Sequence, residues 1–231
     1  MSAQPTYFEH RKRLKERFAV SPEAVADTEL LELLLGYVIK RRDVKPQARD
    51  ILKRAEHLGN IFDCDLAAVK GVGSETETFF ELLKEFVTRS SYRKIEKKTL
   101  NLSDQGEVYA YLRNRIAAAS QEMLAILFLD ARNRLIANKV LKQGKVGDIS
   151  FDIRDIIVSA LEKSAYGVIL AHNHPTGEIQ PTHADIASTR EVFKALRYAG
   201  VELVDHLIVA TNGYYSMRGE GVLQKIAAEA R

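Results

Sequence analysis

Three apolar runs constrain the fold of the C-terminal half: MLAILFL at 123–129, YGVILA at 166–171 and VELVDHLIVA at 201–210. Each is short and bounded by turn-forming or charged residues, the pattern of a buried strand. The first run continues through DARNR into LIANKVL, which reads as a second strand after a reversal around Ala131–Arg134. The last passes through Asn212-Gly213, the strongest short hairpin signal, into GYYSM. Helices are expected over Glu107–Ala118, over SFDIRDIIVSALEKSA with Ser150 or Asp152 as cap, and over HADIASTREVFKALRYAG, which Gly200 ends. These elements alternate as in a mixed α/β domain, a mixed sheet flanked by helices.

The N-terminal part has a different grammar. From Ser21 to Leu83 it reads as short helices separated by turns, hence all-α. Helix starts are expected at Ser21-Pro22, at Asp27 and at Pro46, with Gly59 stopping the third helix. DLAAVKGVGSETETFFELLKEFVTR reads as helix, GVG turn, helix. Between Arg89 and Gln105 the apolar period is lost and charge and serine accumulate, which marks a linker. Two domains result, 1–98 and 107–229.

Composition narrows the chemistry. The single cysteine, Cys64, excludes an internal disulfide framework and a zinc site built on several thiolates. Any metal must therefore use histidine and carboxylate, and a reducing, cytoplasmic compartment is expected. No signal peptide or membrane span is read in the sequence. Residues 1–98 carry 19 Lys and Arg against 16 Asp and Glu, a balance of +3, while the remaining 15 and 15 cancel. The basic clusters RKRLKER at 11–17 and IKRR at 39–42 could touch phosphates, but such clusters are more often solvated helix faces.

The stretch AHNHPTGEIQPTHAD, 171–185, holds three of the six histidines. His172 and His174 stand two apart at the end of a strand, where side chains i and i+2 point the same way and both imidazoles can reach one ion. Thr182 opens the next helix and Asp185 lies in its first turn. Two imidazoles and a carboxylate would leave a zinc ion one open position, the mark of a catalytic site. Thr182 and Asp185 also form a capping-box pattern, which alone would explain the aspartate.

His-x-His, seven residues, a hydroxyl residue, two residues and an aspartate together resemble the JAMM metalloprotease motif of the MPN fold. The proline after the second histidine, the Pro181-Thr182 pair, LAHNHP at 170–175, DHLIV at 205–209 and Gly144 to Ile156 with Arg154 inside it look like the bacterial RadC family. This resemblance implies an MPN/JAMM, cytidine-deaminase-like domain in which His172, His174 and Asp185 bind one zinc ion per chain. It also implies a glutamate base before an upstream strand, a place that Glu122 fits, with Glu178 and Asp155 as lesser rivals. Thr182 stands where the family usually has serine, whose hydroxyl is thought to help hold the substrate oxyanion. His183 is expected to face solvent, and His206 to be a core histidine hydrogen-bonded to a neighbour.

The implied activity is that of a zinc metallopeptidase or isopeptidase-like hydrolase, in which metal-activated water attacks an amide of a peptide or protein substrate. KGVGSETETFF resembles the helix-hairpin-helix module that precedes the catalytic domain in RadC-like proteins, with Gly71 and Gly73 allowing the turn. That implies a second function, a DNA-repair-associated accessory protein contacting DNA through residues 1–98, although Glu75 and Glu77 would repel phosphate. A non-catalytic, metal-binding MPN scaffold is the third.

Overall fold

The structure, a computed structural model, describes residues 6–96, 100, 106–142 and 152–229. It comprises two compact units, 1–86 and 87–231.

The first unit is helical: α1 (Thr6–Val20), a 3-10 turn, α2 (Asp27–Val38), α3 (Lys45–Ala55), a 3-10 segment (Leu58–Asp63) and the start of α4 (Ser74–Ile95). In α3, Pro46 lies in the first turn, where its missing N–H costs nothing, and Ala48, Ile51 and Ala55 recur at helical spacing on the buried face. They pack with Leu31, Leu35, Ile61 and Phe80 into one core.

Three expectations for this part are corrected. α3 ends at Ala55 rather than running to Gly59, because Glu56 takes a positive φ of 65° that no helix continues. Residues 65–70 form turns rather than a helix. Val69 N–H donates to the Leu66 carbonyl and Val72 N–H to that of Val69, and Leu66 and Val69 point into the core. So short a segment gains more from burying two side chains than from nucleating a helix. Finally, α4 runs on to Ile95 through the start of the expected linker. Ile95 is fully buried in the core of the second unit and Tyr92 packs against that core, so this stretch has an apolar face despite its charge.

The second unit is a five-stranded sheet in the order β2-β1-β3-β4-β5, with β1 (Met123–Leu129), β2 (Leu135–Lys142), β3 (Gly167–Asn173), β4 (Glu202–Ala210) and β5 (Gly213–Ser216). β3 and β4 are parallel and every other pair is antiparallel. Both expected hairpins are present. Four helices accompany the sheet: α5 (Gly106–Leu112), α6 (Ile153–Glu162), α7 (His183–Tyr198) and α8 (Val222–Glu229). The helix expected to reach Ala118 instead passes into a π-helical turn at Arg113. Asp152 caps α6, its side chain accepting the Arg154 N–H, whereas Ser150 lies outside the described residues, as does 144–151 of the RadC-like segment.

The central strands are apolar on both faces. Ala125, Leu127, Ile169, Ala171 and Leu207 pack with α5 and the end of α4. Leu124, Ile126, Phe128, Leu170 and Ile208 pack with α6, α7 and α8. Alternation along β3 therefore sends His172 toward α6 and α7, and Asn173 toward the opposite face. Among the described residues, no helix is long and apolar enough to cross a membrane.

Candidate metal centre

β3 ends at the histidines. His172 is its sixth residue, and His174 follows directly where the strand gives way to a loop. After that loop α7 begins with a reciprocal cap. The Thr182 hydroxyl accepts the Asp185 N–H at 3.1 Å, while Asp185 Oδ2 accepts the Thr182 N–H at 2.7 Å. The Thr182 hydroxyl donates to the same oxygen at 2.7 Å. The cap therefore fixes the Asp185 rotamer and turns Oδ1 toward His172, so capping and ligation are roles of the same side chain.

The donor atoms converge. His172 Nε2 lies 3.0 Å from His174 Nε2 and 3.3 Å from Asp185 Oδ1, and His174 Nε2 lies 3.3 Å from Asp185 Oδ2. Ligands held about 2.0–2.1 Å from a tetrahedral zinc ion stand roughly 3.3 Å apart, so the three residues fit such an ion. They form a cluster that could hold a metal ion, and its two inner members, His172 and Asp185, are each only 2% exposed. His174 Nδ1 donates to the Glu178 carbonyl at 2.8 Å, which leaves its Nε2 lone pair toward the cluster.

The electrostatics agree. Burial alone would raise the Asp185 carboxyl, but its contacts with the His172 and His174 rings in their protonated form, and the hydrogen bond from Thr182, outweigh it and hold the group well below the usual carboxylate range. The hydrogen bond to Asp185 raises His174 above its ordinary value, against the opposing effect of burial. Burial pushes His206 well below the usual histidine range.

Glu122 stands immediately before β1. Leu124 pairs with His172 across the antiparallel β1–β3 register, so stepping back two residues brings Glu122 beside His174. Glu122, His172 and Asp185 line a cavity of about 280 Å³ whose other walls include Leu124, Leu170 and Val192. The rivals lie elsewhere: Asp155 is exposed on the first turn of α6, and Glu178 is exposed with its carboxylate accepting the Gln180 N–H. His183 faces solvent and His206 is buried, each as expected.

Asn173 and Thr189 are site residues that the sequence reading passed over. Asn173, between the two histidines, accepts the Met123 N–H and donates to the Ala119 and Gln121 carbonyls, clamping the segment that carries Glu122. Thr189 lies one helical turn after Asp185, a spacing that could have marked it. In the first unit, much of the 11–17 basic cluster is engaged internally. Arg11 donates to the Gly36 and Arg42 carbonyls, Arg17 pairs with Glu29, and the Lys15 ammonium sits 4.8 Å from the centre of the Tyr37 ring.

A mixed sheet that presents His-x-His at a strand end, with a carboxylate on the helix that follows, defines a domain of the JAB/MPN type. The chain belongs to the RadC family, its residues 102–222 matching the RadC-like JAB domain. It is also 33% identical over 224 residues to the UPF0758 protein FN0909 of Fusobacterium nucleatum subsp. nucleatum, an alignment covering 93% of this chain and 97% of that protein.

Proposed function

We propose that the domain formed by residues 107–229 is a zinc-dependent amide hydrolase acting on a peptide or isopeptide bond. The observation that carries this reading is the convergence of His172 Nε2, His174 Nε2 and an Asp185 oxygen, with the Glu122 carboxylate lining the same cavity. Zinc bound there would polarise the scissile carbonyl and acidify a water molecule. The protein supplies the rest. Glu122 accepts the proton of the attacking water and returns it to the leaving amine, as a carboxylate at the edge of an apolar cavity can do. Leu124, Leu170 and Val192 give that cavity an apolar wall, and the Thr182 cap holds Asp185 in place. Nothing in this arrangement needs a thiol, in keeping with a chain whose Cys64 lies in the other unit and whose thiol burial pushes up.

Metal analysis with activity measurements tests the reading. Protein purified without chelators is expected to hold about one zinc per chain, and the His172→Ala/His174→Ala double variant to lose it. Glu122→Gln is expected to keep zinc and to abolish hydrolysis of a peptide library by the wild type. A zinc-free wild type would overturn the metal centre, and full activity in Glu122→Gln would overturn the base.

A further inference from the structure

Behind the triad lies a buried polar chain whose direction follows from its chemistry. Thr189 Oγ1 lies 2.5 Å from the Asp185 carbonyl oxygen, which has no proton to give, so the hydroxyl donates there. Its one proton is then spent, and His206 Nδ1, 2.7 Å from the same oxygen, must be the donor in that contact. A neutral imidazole protonated on Nδ1 presents a lone pair on Nε2, and His172 Nδ1 lies 2.9 Å from His206 Nε2. His172 is thereby protonated on Nδ1, and its Nε2 lone pair is left facing His174 and Asp185.

We propose that Thr189 and His206 are positioning residues that set the tautomer of His172, so that its Nε2 is a ready ligand before any ion arrives. The relay joins two ligand residues, starting at the Asp185 main chain and ending on the His172 ring, and it links α7, β4 and β3. Thr189 and His206 are only 1% and 5% exposed, and both stand in the wall of the cavity that Glu122 and Asp185 line. A buried polar pair retained only for packing would have no such polarity. The proposal rests on the metal-centre reading, but the tautomers can be measured without metal.

The test uses the full chain, metal-free and labelled with 15N at histidine. Long-range proton–nitrogen correlations of the rings are expected to show the Nδ1–H tautomer for both His172 and His206. Thr189→Val is expected to bring a mixed His172 tautomer and a 10- to 100-fold loss of zinc affinity in competition with a chelator, and Thr189→Ser to restore both. An Nε2–H tautomer for His172 in the wild type overturns the relay, a result that needs no variant to fold. So does a folded Thr189→Val protein that binds zinc within twofold of wild type. Wild type with the expected tautomers but no zinc uptake supports the relay and overturns the metal centre instead.

Discussion

Asn173 Oδ1 accepts the main-chain N–H of Met123 at 2.8 Å, across a gap of fifty residues. The amide nitrogen of the same side chain donates to the Ala119 and Gln121 carbonyls at 3.0 and 3.3 Å. The residue between His172 and His174 thus holds the entry to β1, where Glu122 sits. Replacing Asn173 with Asp turns the donor into an acceptor facing two carbonyls, and a buried mismatch of this kind costs about 2 kcal/mol or more. Zinc uptake is expected to survive in Asn173→Asp, because the ligands point to the other face of β3, while any hydrolysis falls at least tenfold as Glu122 loses its placement. Urea unfolding and zinc titration, run side by side, check this. Unchanged stability would show that the clamp contributes nothing.

The pH dependence of zinc binding follows from His174. Its hydrogen bond to Asp185 raises it above the ordinary value, despite burial, so the proton competes with the metal at higher pH than at a free histidine. Asp185, held well below the usual carboxylate range, stays ionised throughout and adds no competition. The sign is therefore fixed: affinity falls as pH drops through the raised His174 range, which lies above that of a free histidine, by about tenfold per unit for each proton displaced. Chelator competition at several pH values measures it, and an affinity constant between pH 8 and pH 6 would contradict it.

Much of this site is written locally. The His172/His174 alternation on one strand and the Thr182/Asp185 cap on one helix each depend on neighbours within three residues, and periodicity and capping rules reach that far. The role of Asn173 and the partner of His206 were not legible in the same way, because the residues they meet lie fifty and thirty-four residues away, at Met123 and His172. Only the strand order brings those partners together. The fold divides likewise. The apolar runs at 123–129 and 166–171 announced their strands, since burial on both faces leaves no polar alternation to misread. Residues 65–70 and 89–95 were misread because composition was weighed without knowing that Leu66, Val69 and Ile95 find a core to enter.

Asp205 is fully buried at the bulge where the β3–β4 register shifts, next to the relay histidine. Its Oδ1 accepts the N–H groups of His206 and Arg218 at 2.7 and 2.9 Å, and its Oδ2 accepts the Ser216 hydroxyl at 2.6 Å. Asp205→Ala would strand the buried His206 N–H and the half-buried Ser216 and Arg218 donors, a loss of about 3 kcal/mol or more. Thermal unfolding of the metal-free protein is the direct check, and a melting temperature within a degree of wild type would contradict it. Ser216→Ala removes only one of the three donors and is expected to cost about 1 kcal/mol.

Thr182 separates capping from ligation. Its hydroxyl both accepts the Asp185 N–H and donates to Asp185 Oδ2, so it is already committed within the cap. Thr182→Ser keeps both bonds and sheds only a methyl group on an exposed residue, so stability should stay within about 0.5 kcal/mol of wild type. Thr182→Val keeps the shape and removes the hydroxyl. It is expected to cost about 1 kcal/mol as a lost N-cap, and to weaken zinc binding several-fold because Asp185 Oδ2 loses one of the bonds that orient it. If valine lowers stability but leaves zinc affinity untouched, the cap serves α7 alone. If serine raises hydrolysis while zinc affinity stays constant, the threonine methyl group was restricting substrate, which would mark position 182 as the place where this chain's activity is set.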